Sequence, residues 1–113
     1  MLEEVTYKGK TFKVDALGFL TDYRDWSEEF AEGLAPSLHI YNGLTDKHWQ
    51  VIHFIRDTLK EYGKCPLVYQ TCKLTGLRLF QLRELFPTGY LRGACKLAGL
   101  TYREGYLHHY SYL

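Results

Sequence analysis

Hydrophobic positions along this chain repeat first every two residues and then every three to four. Between residues 4 and 15, Val5 and Tyr7 alternate with polar neighbours, and Phe12 and Val14 do the same after the break at Lys8-Gly9-Lys10. That pattern predicts a β-hairpin over residues 4–15, with Gly9 supplying the positive φ of the turn. Two strands alone are marginally stable, so the hairpin has to rest on helices. After the apolar connector Leu17-Gly18-Phe19-Leu20, the residues Trp26, Phe30 and Leu34 recur every fourth position. They predict a first helix over residues 22–34 with one buried stripe, and Asp25 and Glu28 stand in capping-box spacing near its start. Gly33 predicts either the end of that helix or a close backbone approach.

Residues 35–43 carry Pro36, Ser37, Asn42 and Gly43, a loop composition. The longest helix follows, with Thr45 as its N-cap, Asp46 at the positive end of its dipole and Gly63 as its stop. Trp49, Ile52, Ile55, Leu59 and Tyr62 mark one face and Val51 and Phe54 widen it, as expected of a core axis covered on more than one side. His48 and His53 are five residues apart rather than the three or four of a helical metal pair, and take core or capping roles in this scheme. Lys64-Cys65-Pro66 predicts the start of a third helix, ended by Gly76, and a fourth runs from Leu77 or Arg78 to Phe86. Cys72, Gly76 and Leu82 fall at the spacing of a tight helix-turn-helix corner. Pro87 and Gly89 break the chain again, and a short basic helix carrying Cys95 ends at Gly99. The expected fold is mainly α: a small orthogonal helical bundle with an N-terminal β-hairpin and a helix-turn-helix-like element, one domain over residues 1–113.

Charge changes this picture only locally. Fourteen Lys and Arg against 13 Asp and Glu leave a net charge of +1, no global argument for nucleic acid, a membrane or an acidic partner. From Lys64 to Lys96, however, six bases stand against the single acid Glu84. A solvated basic face and a nucleic-acid surface both fit that excess; Arg78, Gln81 and Arg83 are the side chains placed to reach bases, and duplex binding is expected to be weak. Three cysteines without a signal peptide fit a reducing compartment, the cytoplasm. No apolar run approaches the roughly 20 residues of a membrane helix, and Glu3 and Glu4 stand where a targeting segment would be basic.

Catalytic motifs are scarce. There is no Cys-x-x-Cys, His-Glu-x-x-His, phosphate-binding glycine loop or nucleophile elbow, so no orthodox enzyme class is supported and neither cofactor nor metal is expected. Cys95 is the candidate reactive residue, because the neighbouring cations Arg92 and Lys96 favour the thiolate that does sulfur chemistry. Equally, Ala94, Cys95, Leu97 and Ala98 compose a small-residue helix suited to packing on a core. Cys65, near Lys64 and a helix start, is the nearest rival, and Cys72 belongs in the inter-helix corner. Cys65 and Cys72, seven residues and roughly 10 Å apart if both are helical, cannot form a disulfide. The arm over residues 101–113 carries Tyr102, Tyr106, Tyr110 and Tyr112 and is too aromatic for a typical disordered terminus. Docking on its own domain and docking on a partner both suit it.

Several groups of residues, in order, resemble the landmarks of the DsrC/TusE-like sulfur relay proteins, the gamma-type family associated with dissimilatory sulfite reductase. They are Gly18-Phe19-Leu20, Asp25-Trp26 with Glu28-Glu29, Leu44-Thr45 with His48-Trp49, Gly63 with Pro66, Leu85-Phe86-Pro87 with Gly89, and Ala94-Cys95-Lys96 with Ala98-Gly99-Leu100. The resemblance covers most of the chain and implies the same hairpin-and-bundle fold. It also implies a sulfurtransferase-type carrier, rather than a self-contained turnover enzyme, that acts as a monomer or in transient complexes with other sulfur-relay proteins or sulfite reductase subunits. Sulfur carriers of this family use a cysteine next to last on a C-terminal arm, and those working with sulfite reductase have a second cysteine eleven residues earlier. Cys95 matches the earlier one, whereas the later position is Tyr106, and the chain runs seven residues further to Leu113. Tyr90 and Thr101 stand where the family usually has proline. By this resemblance Cys95 is the candidate persulfide-bearing sulfur acceptor, with Tyr102, Tyr106, Tyr110, Arg78 and Arg83 as candidate partner contacts. The alternative is a non-catalytic regulatory or interaction protein on the same scaffold, at most a weak helix-turn-helix nucleic-acid binder. Exposure of Cys95 and a common face for Arg78, Gln81 and Arg83 would separate the two.

Overall fold

A computed structural model describes residues 3–101. Strands β1 (Glu3–Tyr7) and β2 (Lys10–Val14) pair antiparallel with Val5 opposite Phe12 and Tyr7 opposite Lys10. The turn puts both Lys8 (φ 51°) and Gly9 (φ 82°) in the left-handed region, the geometry that matches strand twist in a two-residue hairpin. Phe12 and Val14 point into the core, and the hairpin rests on helix α1 (Glu28–Leu34) through Phe12 and Phe30, whose ring centroids are 5.4 Å apart. Gly33 makes the close approach: a Cβ there would lie 2.2 Å from Cγ of Tyr7.

Helix α1 begins six residues later than the periodicity predicts. Asp22 caps a separate 3-10 turn, Tyr23–Asp25, and the backbone is extended at Trp26 and Ser27 before α1 starts. The cause is tertiary: the Trp26 indole Nε1 donates to the Leu97 carbonyl at 2.7 Å, which holds Trp26 outside the helix whose stripe it was expected to join.

Helix α2 (Asp46–Tyr62) has the expected limits, with the Thr45 side chain accepting from the His48 amide and Gly63 closing it at φ 74°. Its buried face is His48, Val51, Ile52, Ile55, Arg56 and Leu59. Tyr62 is 66% exposed rather than part of that face, and Arg56 is buried in its stead. Helices α3 (Val68–Thr75) and α4 (Leu79–Leu85) form the helix-turn-helix-like pair around Gly76 (φ 75°). Each starts with the same device: a glutamine at the third position, Gln70 or Gln81, accepts from the capping amide of Leu67 or Arg78. Because α3 starts at Val68, Lys64, Cys65 and Pro66 belong to a linker and not to the helix they were expected to open.

After α4 the chain turns at Pro87–Gly89 and enters a π-helical turn, Tyr90–Cys95, in place of the short α-helix expected there. Gly99 closes this segment at φ 93°, and the Leu100 amide returns to the Cys95 carbonyl at 3.0 Å. The result is a mainly helical domain with an N-terminal antiparallel hairpin. One core joins Phe30, Ile52, Ile55 and Leu59 to Phe86, Leu97 and Leu100. Among the described residues, no helix is long and apolar enough to cross a membrane.

Gly99 also gives a stability prediction. A Cβ at this position would lie 2.7 Å from Cδ1 of Trp26 and 2.9 Å from Nη1 of Arg56, on a backbone already in the glycine region. Gly99→Ala is expected to cost on the order of 1–3 kcal/mol, read as a lowered urea midpoint at unchanged slope.

Candidate functional site

Cys95 closes the π-helical turn and has no exposed surface. Cys65, which lies in the linker before α3 and is 3% exposed, is buried in the same core and its thiol bears on that of Cys95. Tyr90, at the start of the same turn, packs beside them. Its hydroxyl donates to the Pro66 carbonyl at 2.7 Å and, with its one proton so used, accepts from Thr71 Oγ1 at 2.7 Å. Tyr90 thus ties the residue after Cys65 to the turn that carries Cys95, and both cysteines are buried.

The electrostatics follow from burial. Desolvation, and then the Cys65 thiol, push the Cys95 thiol well above its usual range; the Tyr90 hydroxyl acts in the opposite sense and is outweighed. Burial likewise pushes the Tyr90 phenol up. Cys72, half-buried on α3, is raised by desolvation.

The cations expected to stabilise a Cys95 thiolate are engaged or distant in effect. Lys96 Nζ donates to the Leu17 carbonyl at 2.8 Å and stands 5.0 Å from the Phe19 ring centre. Its own pKa is lowered, chiefly by desolvation. Arg92 is exposed on the turn, on which Cys95 itself points inward. Of the two settings the sequence left open for Cys95, a cation-flanked thiol and a small-residue helix packed on the core, the second describes it at rest, and burial keeps the thiol protonated. Cys65, the nearest rival, is likewise buried, and it lies in the linker rather than at a helix start.

Lys96 instead belongs to a set of contacts that hold the root of the arm. Arg56 Nη1 donates to the Ala98 carbonyl at 3.2 Å, and its guanidinium carbon lies 5.0 Å from the Trp26 ring centre and 5.8 Å from that of Tyr23. Trp26 holds Leu97, and Thr101 bridges to Leu20 in parallel. The spacing of Arg56 from Ile52 and Leu59, four and three residues away, is the sequence signal that could have placed it on the buried face.

His48 takes the capping role expected of it. Its Nε2 donates to the Leu85 carbonyl at 2.9 Å, which leaves Nδ1 to accept from the Thr45 amide at 3.0 Å. Desolvation lowers its pKa, so the neutral form is the one that fits. His53 is exposed, pairs with Glu28 at 3.2 Å and stacks on Trp49. Arg78, Gln81 and Arg83 are all exposed, but the Gln81 amide oxygen is committed to the Arg78 backbone. An open groove of about 870 Å³ runs between α2 and α3 and includes Phe54, Tyr62, Pro66, Tyr69 and Leu74. Tyr102, Tyr106 and Tyr110 lie outside the described residues.

With this geometry in place, comparison with known proteins is specific. A family model described as "DsrC like protein" matches residues 6–106. The gamma subunit of dissimilatory-type sulfite reductase from Nitratidesulfovibrio vulgaris (strain Hildenborough) is 43% identical over 99 residues, covering 88% of this chain and 93% of its own. Sulfurtransferase TusE from Pectobacterium atrosepticum is 34% identical over 101 residues, covering 83% of this chain and 91% of its own. The crystal structure of the oxidized gamma subunit (DsrC) of dissimilatory sulfite reductase from Archaeoglobus fulgidus superposes with a TM-score of 0.74 at 36% identity, over 87% of this chain and 94% of that one.

Proposed function

The chain belongs to the DsrC-like family and is a sulfur-relay protein of the DsrC/TusE type, and from that premise we propose that it accepts sulfur as a persulfide on Cys95 and passes it on to another protein. Its partners in this reading are sulfur-relay proteins or sulfite reductase subunits, met transiently in the cytoplasm, with the aromatic arm (Tyr102, Tyr106, Tyr110) and the exposed Arg78 and Arg83 as contacts. The observation that carries it is the place of Cys95 at the root of the arm. Arg56, Trp26 and Lys96 clamp residues 96–98 beside it. A partner that draws on the arm therefore pulls on the segment that buries the sulfur. Cys95 is closed at rest, so acceptance requires this segment to lift, and the thiol loses its desolvation penalty when it does.

A second reading, a regulatory or interaction protein on the same scaffold, is favoured by one specific observation: Cys95 has no exposed surface. Incubation with inorganic tetrasulfide, followed by alkylation and peptide mapping, separates the two. The relay reading expects sulfur-containing adducts or sulfide release that vanish in Cys95→Ala. Adducts that survive that substitution, or a chain that neither takes up nor releases sulfur, favour the regulatory reading.

A further inference from the structure

We propose that Cys65 and Cys95 form a redox dithiol: the two sulfurs close into an intrachain disulfide, with Cys65 as the resolving partner of Cys95. Its use to release sulfane sulfur rests on the relay reading above; the pairing itself does not.

The first observation is juxtaposition. The residues are thirty positions apart in sequence, on the linker before α3 and on the π-helical turn, yet both are buried in one core, and the Tyr90 hydroxyl, donating to the Pro66 carbonyl at 2.7 Å, fastens the linker of Cys65 to the turn of Cys95, where each thiol bears on the other. A disulfide is rarely available to two arbitrary cysteines, because the Cα atoms must lie within about 7 Å with the side chains converging. Here the two side chains are buried in the same core, on segments joined through Tyr90.

The second observation is the backbone on either side. Bond formation draws the sulfurs to about 2 Å, so some main chain has to give. Cys65 lies between Gly63, in the left-handed region, and Leu67, the residue before α3, outside any helical ladder. Cys95 closes a π-helical turn, where the following Lys96 amide is shared between the Gly93 and Leu91 carbonyls. Neither cysteine is locked in a regular α-helix, and π-turns recur at functional positions.

The third observation is enclosure. A sulfur on Cys95 is shielded from bulk thiols while the segment is closed, and the neighbouring thiol is held at high effective concentration.

The step balances without a further oxidant. Cys65, having given up its proton, attacks Sγ of Cys95 that bears the outer sulfur. The Cys65–Cys95 bond forms and the bond to the outer sulfur breaks. The outer sulfur leaves with the electron pair as hydrosulfide and takes up the proton, so one hydrogen sulfide is released per chain. The sulfane sulfur is reduced by two electrons and the cysteine pair is oxidised by the same two. An external thiol reductant resets the pair by exchange.

The test uses the full chain carrying Cys72→Ala, because Cys65 and Cys72 share a tryptic peptide between Lys64 and Lys73. It is treated with inorganic tetrasulfide, freed of excess donor, quenched with an alkylating agent and analysed by intact mass and non-reducing peptide mapping. The expected product is lighter than the dithiol by two hydrogen atoms, with a Cys65–Cys95 cross-link and stoichiometric sulfide. Cys65→Ala and, as a second variant, Cys65→Ser should instead retain one extra sulfur on Cys95 and release sulfide more than about tenfold slower. Equal persistence of the adduct with and without Cys65 would overturn the pairing while leaving the relay reading intact. Should neither chain take up sulfur, the relay reading falls and oxidised glutathione alone decides: a Cys65–Cys95 cross-link supports the dithiol, and mixed glutathione disulfides or unreacted thiols defeat it.

Discussion

Phe86→Ala is expected to lower the unfolding free energy by about 3–5 kcal/mol and to raise the alkylation rate of Cys95 in the native state. Phe86 is 1% exposed and its ring meets His48 edge-on at 5.3 Å between centroids, against the first turn of α2. Its carbonyl accepts from the Gly89 amide at 2.9 Å, closing the turn that leads into Tyr90–Cys95. From the other side Gly93 leans on it: a Cβ at Gly93 would lie 3.1 Å from Cβ of Phe86. Truncation therefore removes the support shared by α2 and the sulfur-bearing turn, and the cavity opens beside that turn at Gly93. The stability loss is read from chemical denaturation, and the change at Cys95 from iodoacetamide labelling with Cys72 as the internal reference. A cost below about 1 kcal/mol would mean that the turn collapses onto the space and is not held by this ring.

The parts of the fold that read directly from the residues are those in which neighbouring positions decide the geometry. The Thr45 cap and the Gly63 stop of α2, the hairpin turn at Gly9 and the corner at Gly76 each depend on backbone chemistry within a few residues. What periodicity misplaces, tertiary contacts explain. Trp26 falls on the stripe of Phe30 and Leu34, yet its indole nitrogen finds the Leu97 carbonyl and the helix starts after it. Tyr62 continues the apolar face of α2 but lies in its last turn, where that face opens onto the groove beside α3. Cys95 was legible as the candidate, both from its place between glycines and from the family resemblance. Its neighbour Cys65 was not, because nothing in a thirty-residue separation marks two cysteines as partners once the nearer one, Cys72, offers itself for comparison. The flanking cations were a misleading cue for the same reason. Adjacency along the chain says nothing about direction, and Lys96 turns to the Leu17 carbonyl while Cys95 turns inward.

Tyr90→Phe is the substitution that tests this enclosure most directly. The hydroxyl of this tyrosine joins two segments that its ring alone could not fasten. It donates to the Pro66 carbonyl and accepts from Thr71, both at 2.7 Å and both out of water. Removing the oxygen alone leaves the ring's packing in place but strands a buried carbonyl and a buried hydroxyl, at about 1–3 kcal/mol for each group that finds no new partner. The lost bonds are also the tie between the Cys65–Pro66 linker and the turn ending at Cys95, so the two thiols should lose their protection together. Iodoacetamide should then modify Cys65 and Cys95 faster than in the parent chain by a larger factor than any change at Cys72. A thiolate on Cys95 competes with the Pro66 carbonyl for the hydroxyl proton, and the substitution removes that proton, which on its own would slow the reaction of Cys95. A faster Cys65 with a slower Cys95 would therefore show that the hydroxyl acts on the sulfur more than on the linker. Acceleration of both shows that it serves as a latch on the pair.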